Sequence, residues 1–138
     1  MSDAPTPVPH PASGAREAAA RGVCLVSCAV EALALLGFAG FYLYELAIGE
    51  GSDTARVVMS AVVIVIAAAG MAALAVGWRR GVWWPRTPTI LWNGLMLPVG
   101  WSVVQAGQTL AGVAVLVLAV VTLVAAFSVP GRQPDDAD

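Results

Sequence analysis

One acidic residue lies deep inside a long apolar run of this sequence. Glu31 comes ten residues after Arg21, within the stretch GVCLVSCAVEALALLGFAGFYLYELAIG. At about 1.5 Å of helical rise per residue, Glu31 lies roughly 15 Å from that arginine along the helix axis. A charged carboxylate at the centre of a bilayer costs about 3 kcal/mol on insertion scales. Glu31 is therefore expected to form an interhelical hydrogen bond, to carry a proton or cation, or to make an intermolecular contact.

Polar groups of the third apolar run are the candidate partners of Glu31. Asn93 lies about 8 Å inside that run by the same helical rise. Pro98 has no N–H, so the Gly94 carbonyl loses its helical partner and a kink is expected. Helical side chains tilt toward the helix N-terminus, which brings Glu31 toward the level of Asn93 and Gly94. We predict that a protonated Glu31 donates to the Asn93 amide or the Gly94 carbonyl, with Gln105 as a third intramembrane polar residue.

The cysteines do not form a recognisable reactive or metal-binding motif. Cys24 and Cys28 are four residues apart and share one helix face. A metal site needs more ligands, and the one histidine, His10, lies in a proline-rich stretch. The sequence also lacks a glycine-rich phosphate loop and a nucleophile motif. We therefore expect small packing residues in a helix seam, no cofactor and no enzymatic activity.

The composition is that of a membrane protein. The chain has 138 residues, of which 59% are hydrophobic and 12% are charged. A soluble domain is about one quarter charged, and a chain of this length buries only about two thirds of its surface. The excess of apolar surface indicates that lipid is the surrounding solvent.

Four apolar runs are each long enough to cross a hydrocarbon core of about 30 Å. We predict an all-α, four-helix transmembrane bundle. Its spans are expected at about 22–48, 57–78, 88–107 and 110–129. The second run has small residues at every fourth position, Ala69, Ala73 and Gly77, and this spacing predicts a helix-packing face.

The predicted membrane domain, 15–131, is flanked by two tails. Residues 1–14 have a proline at every second or third position toward their middle, which is typical of a disordered, extended segment. Residues 132–138 form an acidic tail. Ser13 is expected to cap a helix that begins near residue 15. Thr87-Pro88 is expected to open the third helix, with a hydroxyl cap followed by a proline.

Arginines and tryptophans cluster between the second and third runs. The cluster consists of Trp78, Arg79, Arg80, Trp83, Trp84 and Arg86. Both residue types are enriched where a membrane meets water, so we predict an interfacial anchor. A docking surface for a partner or for anionic lipid is the alternative. The loop is too short and too close to the membrane for nucleic-acid binding.

The arginines also predict the orientation of the chain. Six of the seven lie on the side of the N-terminus, the second loop and the C-terminus, and only Arg56 lies on the other side. The positive-inside rule then places both termini in the cytoplasm of a bacterial plasma membrane.

A spaced set of residues leads into the third run and extends to its end. The set consists of Trp84, Arg86, Thr87, Pro88, Leu97, Pro98, Gly100, Trp101, Gln105 and Gly107. With the fourth run, it resembles a family of small four-span integral membrane proteins of actinobacteria, whose pattern is about R-x-W-A-R-[ST]-P-x-x-x-x-Q-x-x-x-L-P-x-[AG]-W-x-x-x-Q-x-G. Pro85 and Asn93 depart from the pattern, whereas Glu31 matches a first-span glutamate. The resemblance covers most of residues 22–129 and implies the four-span fold, without implying an activity.

Glu31 in the first run and Trp92-Asn93-Gly94-Leu95 in the third carry a second, weaker resemblance. They are similar to features of small multidrug-resistance transporters, which have four short spans, a glutamate in span one and a Trp-small-Gly-aliphatic stretch in span three. The longer loops and the tyrosines at the opposite end of span one count against it.

The sequence thus favours a non-enzymatic structural or accessory protein of the plasma membrane. It would act through helix–helix contacts with another membrane protein or with a second copy of itself. The alternative is a small proton-coupled transporter that works as an oligomer, with Glu31 as the proton carrier.

Overall fold

The protein is all-α, and its computed structural model describes residues 11–49 and 53–131. Four helices follow one another in the described residues. They are α1 (Pro11–Ala47), α2 (Thr54–Arg80), α3 (Arg86–Gln105) and α4 (Thr109–Ser128). The predicted all-α class and the four helices are therefore confirmed. Three of the helices, α1, α2 and α4, are long and apolar enough to cross a membrane. The remaining helix, α3, carries Asn93, Pro98 and Gln105 and is less apolar.

The helix ends differ from the predicted ones where proline is involved. Helix α1 begins at Pro11, so residues 11–14, predicted to belong to the tail, are helical and Ser13 lies in the first turn. Proline is tolerated there because the first N–H groups of a helix have no intrahelical acceptor. Helix α3 begins at Arg86 after Pro85, without a side-chain cap, so Thr87-Pro88 lies within its first turn. Residues 1–10 and the acidic tail lie outside the described residues.

Helix α2 has a conventional cap at each end. The Asp53 carboxylate accepts a hydrogen bond of 3.2 Å from the Arg56 backbone N–H. At the other end Gly81 adopts a left-handed conformation, with φ 69°, and its N–H bonds to the carbonyls of Gly77 and Trp78. Glycine suits this position because a Cβ disfavours positive φ. The cap turns the chain sharply into the loop that leads to α3.

The helices form a bundle that is open on one side. Helix α1 packs along α2, α3 packs along α4, and α1 also packs on α4, whereas α2 and α3 have few contacts with each other. Arg21, Gly81, Arg86 and Gly131 line a common cavity. One end of the bundle thus brings together the arginine-containing first part of α1, the α2–α3 loop and the chain after α4. We call it the arginine end.

Small side chains make up much of the core, and the cysteines are among them. Cys24 and Cys28 are both 0% exposed and are free thiols. They pack with Met71 and Trp78 of α2 and with Ala126 of α4. The prediction that the cysteines lie in a helix seam is confirmed.

Within the bundle, the predicted packing face of α2 is used at one of its three positions. Ala69 and Ala73 are exposed, and only Gly77 is buried. A Cβ at Gly77 would collide with Pro85 and would lie 3.2 Å from the Trp84 ring. Gly77 thus packs against the α2–α3 loop, and no neighbouring helix of the bundle covers the other two. Because α2 is rich in small residues on all sides, their spacing does not identify the buried face.

Helices α3 and α4 approach each other closely at two glycines. A Cβ on Gly112 would lie 2.7 Å from the backbone nitrogen of Val104 and 2.8 Å from the carbonyl oxygen of Gly100. A Cβ on Gly100 would lie 2.8 Å from Leu116. The two glycines let the helix backbones touch, and this close contact is a common way of stabilising helix pairs in lipid.

Gly112→Ala is expected to destabilise the protein by about 1–3 kcal/mol, the usual range for overpacking. The added methyl group meets backbone atoms, which cannot move without separating the helices. The measurement is the free energy of unfolding in mixed detergent. Gly40→Ala on α1 is the control, because a Cβ there has nothing within 4 Å. Equal stability of the two variants would contradict the close contact.

Candidate functional site

A group of buried polar residues lies between α1, α2 and α3, and Thr89 is at its centre. Thr89 is 0% exposed. Its hydroxyl oxygen accepts a hydrogen bond of 3.0 Å from the indole N–H of Trp78. The Cys28 sulfur lies 3.9 Å from the same oxygen. Through this one side chain, α3 is connected to both α1 and α2.

Asn93 completes the group from one turn further along α3. Its side-chain amide donates a 3.0 Å hydrogen bond to the backbone carbonyl of Thr89. Asn93 is fully buried, and its Oδ1 has no hydrogen-bond partner among the described residues. Thr89 is a functional candidate that the sequence interpretation missed. Its four-residue spacing from Asn93 was the available signal, since such residues share a helix face.

A second polar contact joins α1 to α4. The Thr122 hydroxyl donates a hydrogen bond of 2.8 Å to the Leu118 carbonyl within α4. The Cys24 thiol lies 4.0 Å from the Thr122 carbonyl oxygen and is oriented as a donor to it. Both contacts satisfy polar groups that would otherwise face apolar surroundings.

Glu31 has an unpartnered oxygen within the bundle. Its Oε2 is inaccessible and has no hydrogen-bond partner among the described residues, and the same is true of the indole nitrogen of Trp92. The two groups neighbour each other, without a hydrogen bond of normal geometry. A carboxyl beside an indole N–H can accept a hydrogen bond from it after a small movement, or can exchange a proton with a bound molecule.

The predicted hydrogen bond from Glu31 to the Asn93 amide or the Gly94 carbonyl is not found among the described residues. The Asn93 Oδ1, which would accept this bond, has no hydrogen-bond partner among the described residues, and neither has Glu31 Oε2. The α3 side chain beside Glu31 is that of Trp92. Neighbouring positions of a helix point about 100° apart. Because the side chain that faces Glu31 is one position earlier along α3 than predicted, Glu31 lies beside the Trp92 indole and not beside the Asn93 amide.

The other predicted intramembrane residues lie apart from this group. Gln105 is exposed and ends α3, about 18 Å along the helix from Asn93. Pro98 lies inside α3, and its carbonyl accepts a hydrogen bond of 2.9 Å from the Ser102 hydroxyl. The site that the structure assembles thus contains Glu31 and Asn93 and leaves out Gln105 and Pro98.

The predicted interfacial anchor is divided between surface and interior. Exposed members of the cluster are Arg79, Arg80, Trp83 and Trp84. Trp78, in contrast, is 3% exposed and belongs to the core. Arg86 is partly buried, and its Nε donates a hydrogen bond of 3.2 Å to the Ala126 carbonyl, which connects the start of α3 to the end of α4.

The open side of the bundle forms an apolar groove between α2 and α3, which we call the lateral groove. Its volume is about 420 Å³. It is lined by Ala67, Gly70, Met71, Ala73 and Leu74 of α2, and by Trp84, Pro88, Leu91, Trp92 and Leu95. The side of α2 is made mainly of small residues, and Trp92 places one wall of the groove next to Glu31.

Comparisons with protein-family models, with curated proteins and with solved structures found no match for this chain. The resemblance to small actinobacterial membrane proteins therefore stays a prediction. The geometry of the site carries the functional argument.

Thr89→Val is expected to destabilise the protein by about 1 kcal/mol, within the range measured for interhelical hydrogen bonds in membranes. Valine keeps the shape of threonine and leaves the buried Trp78 indole N–H without its acceptor. Unfolding in mixed detergent measures the change. Thr54→Val is the control, because Thr54 is exposed at the start of α2. If both variants unfold like the wild type, the hydrogen bond does not hold α3 in place.

Proposed function

We propose that the protein is a multi-pass protein of a bacterial plasma membrane, with four spans and cytoplasmic termini. The apolar character of α1, α2 and α4 supports the membrane location. Exposed large side chains on α3 support a fourth span, among them Leu91 at 65% and Leu95 at 56%. A patch of this kind favours lipid or protein contact over water. The concentration of arginines at one end supports the cytoplasmic placement of that end.

Within that membrane the proposed role is that of a non-enzymatic accessory protein that binds a helix of another membrane protein. The lateral groove carries this proposal. Its α2 side consists of small residues such as Gly70 and Ala73, which allow a second helix backbone to approach closely. Its α3 side offers Leu91 and Leu95, which are large enough to pack against that helix. A helix from a second copy of this chain would fit the lateral groove in the same way.

Gly70→Leu tests the groove because it fills the space without disturbing the bundle. A Cβ at Gly70 has nothing within 4 Å, so the variant is expected to fold. We expect it to lose the stoichiometric partner that the wild type retains when it is extracted in mild detergent. The mass of the purified complex gives the result.

The matched control is Gly40→Leu, the same change at an exposed α1 position that is also open. It is expected to retain the partner. Retention by both variants, or a wild type that is purified as a lone monomer, would contradict the proposed role.

A small proton-coupled transporter is the second candidate, and the unpartnered oxygen of Glu31 favours it. Burial of an unpartnered polar group costs about 1–3 kcal/mol by mutational measures. A residue kept at such a cost is a candidate for function. The neighbouring groove is apolar, so a lipophilic cation would suit the combination of that groove with one carboxyl group.

Glu31→Leu is expected to be as stable as the wild type or more stable, because the substitution removes a carboxyl oxygen that has no partner among the described residues. Glu31→Gln is also expected to fold.

In the transporter hypothesis, the wild type releases a proton when a lipophilic cation such as tetraphenylphosphonium is added to proteoliposomes. Neither Glu31→Leu nor Glu31→Gln is expected to do so. Proton release that persists in Glu31→Gln would exclude Glu31 as the carrier.

A further inference from the structure

We propose that the arginine end of the bundle holds the phosphate of one anionic phospholipid. The site is a cavity of about 320 Å³, which we call the arginine cavity. It is lined by Arg21 of α1, by residues of the 78–87 stretch that include Arg86, and by residues 129–131. The assignment to a lipid depends on the membrane location proposed above. The presence of two arginines in one cavity does not depend on that location.

Arg21 is paired with a carboxylate outside the cavity lining, whereas Arg86 has no acidic partner among the described residues. None of the described residues that line the cavity is acidic. The ion pairs of the described residues are Arg21 with Glu17 and Arg56 with Asp53, so Arg86 is in neither. Arg86 is partly buried, and a buried cation without a counter-ion is unfavourable. An anion in the cavity would supply the missing charge.

Both guanidinium groups are held in place on one side. Arg21 Nη2 donates to the Glu17 carboxylate at 2.7 Å, and Arg86 Nε donates to the Ala126 carbonyl at 3.2 Å. Each bond leaves other N–H groups of the same guanidinium for a ligand. Because the side chains are already ordered, a ligand that bridges them loses little additional entropy to binding.

Two glycines make room for these guanidinium groups. A Cβ at Gly81 would lie 2.8 Å from Arg21 Nη1, and a Cβ at Gly131 would lie 2.7 Å from Arg86 Nη1. A larger residue at either position would displace the arginine beside it. The loop after α2 and the chain after α4 thus help to form the cavity at this end.

A phosphodiester suits this arrangement better than a free anion does. Guanidinium groups bind phosphate oxygens in pairs. The remaining walls include Val82, Val129 and Pro130, which offer apolar surface to the acyl chains of a lipid. Exposed Trp83 and Trp84 place the cavity at the level where lipid headgroups lie.

The test is native mass spectrometry of the full chain in mild detergent after incubation with phosphatidylglycerol. The wild type is expected to retain one molecule. Arg21→Gln and Arg86→Gln are expected to weaken retention about tenfold or more, as is typical for loss of a charged hydrogen bond. Arg86→Lys, which keeps the charge, is expected to retain lipid better than Arg86→Gln.

The matched controls are Arg79→Gln and Arg80→Gln. They make the same charge change at exposed arginines that do not line the cavity, and they are expected to retain the lipid. If one cavity variant does not fold, the other still decides the comparison. Equal retention by the cavity variants and the controls would overturn the proposal.

Two further measurements separate the sources of the anion. Inorganic phosphate alone should not raise the melting temperature of the wild type as phosphatidylglycerol does, and equal effects would overturn the lipid assignment. Replacing Asp135, Asp136 and Asp138 by Asn should leave lipid retention unchanged. A clear gain in retention would mean that the acidic tail occupies the cavity in the wild type, which overturns the proposal.

The membrane proposal can fail separately from the binding site. If carbonate washing removes the protein from membranes, the membrane proposal fails. A protein that stays in the membrane but retains no phosphatidylglycerol refutes the cavity proposal alone.

Discussion

The hydrogen bond from the Trp78 indole to the Thr89 hydroxyl holds the least apolar helix of the bundle against its neighbours. Helix α3 buries Thr89 and Asn93 completely, and in lipid such groups need partners inside the protein. Thr89 satisfies the indole and places its carbonyl where the Asn93 amide bonds to it. The position of α3 determines the lateral groove, the neighbour of Glu31 and the arginine cavity, so this contact contributes to all three.

Close packing of α3 against α4 complements that hydrogen bond and explains the open side of the bundle. Gly100 and Gly112 bring the two helix backbones together, and Arg86 joins the start of α3 to the end of α4. Helix α3 is thereby held toward α4, and a groove remains between α3 and α2. The groove follows from where the small residues lie, and it leaves one face of α2 available to a partner.

Much of this fold could be predicted from the sequence, because length and apolar composition alone indicate membrane helices. The prediction succeeded for the helix order and for the burial of Cys24 and Cys28. It failed where a single position decides the outcome. The neighbour of Glu31 is Trp92 and not Asn93, and such a difference of about 100° around a helix depends on helix packing that periodicity does not specify. The buried face of α2 was missed for the same reason, since small residues occur all around it.

The proposed four-span topology requires α3 to cross the membrane as part of the bundle, although it is less apolar than its neighbours. Labelling of introduced cysteines with a membrane-impermeant maleimide tests this topology most directly. The two substitutions are Val82→Cys, at an exposed position before α3, and Gln108→Cys, at an exposed position after it. The native cysteines are buried and are not expected to react. In intact bacterial cells Gln108→Cys should be labelled, and Val82→Cys should be labelled only after permeabilisation. Labelling of both positions from the same side would mean that α3 does not span the membrane, and the four-span account would be wrong.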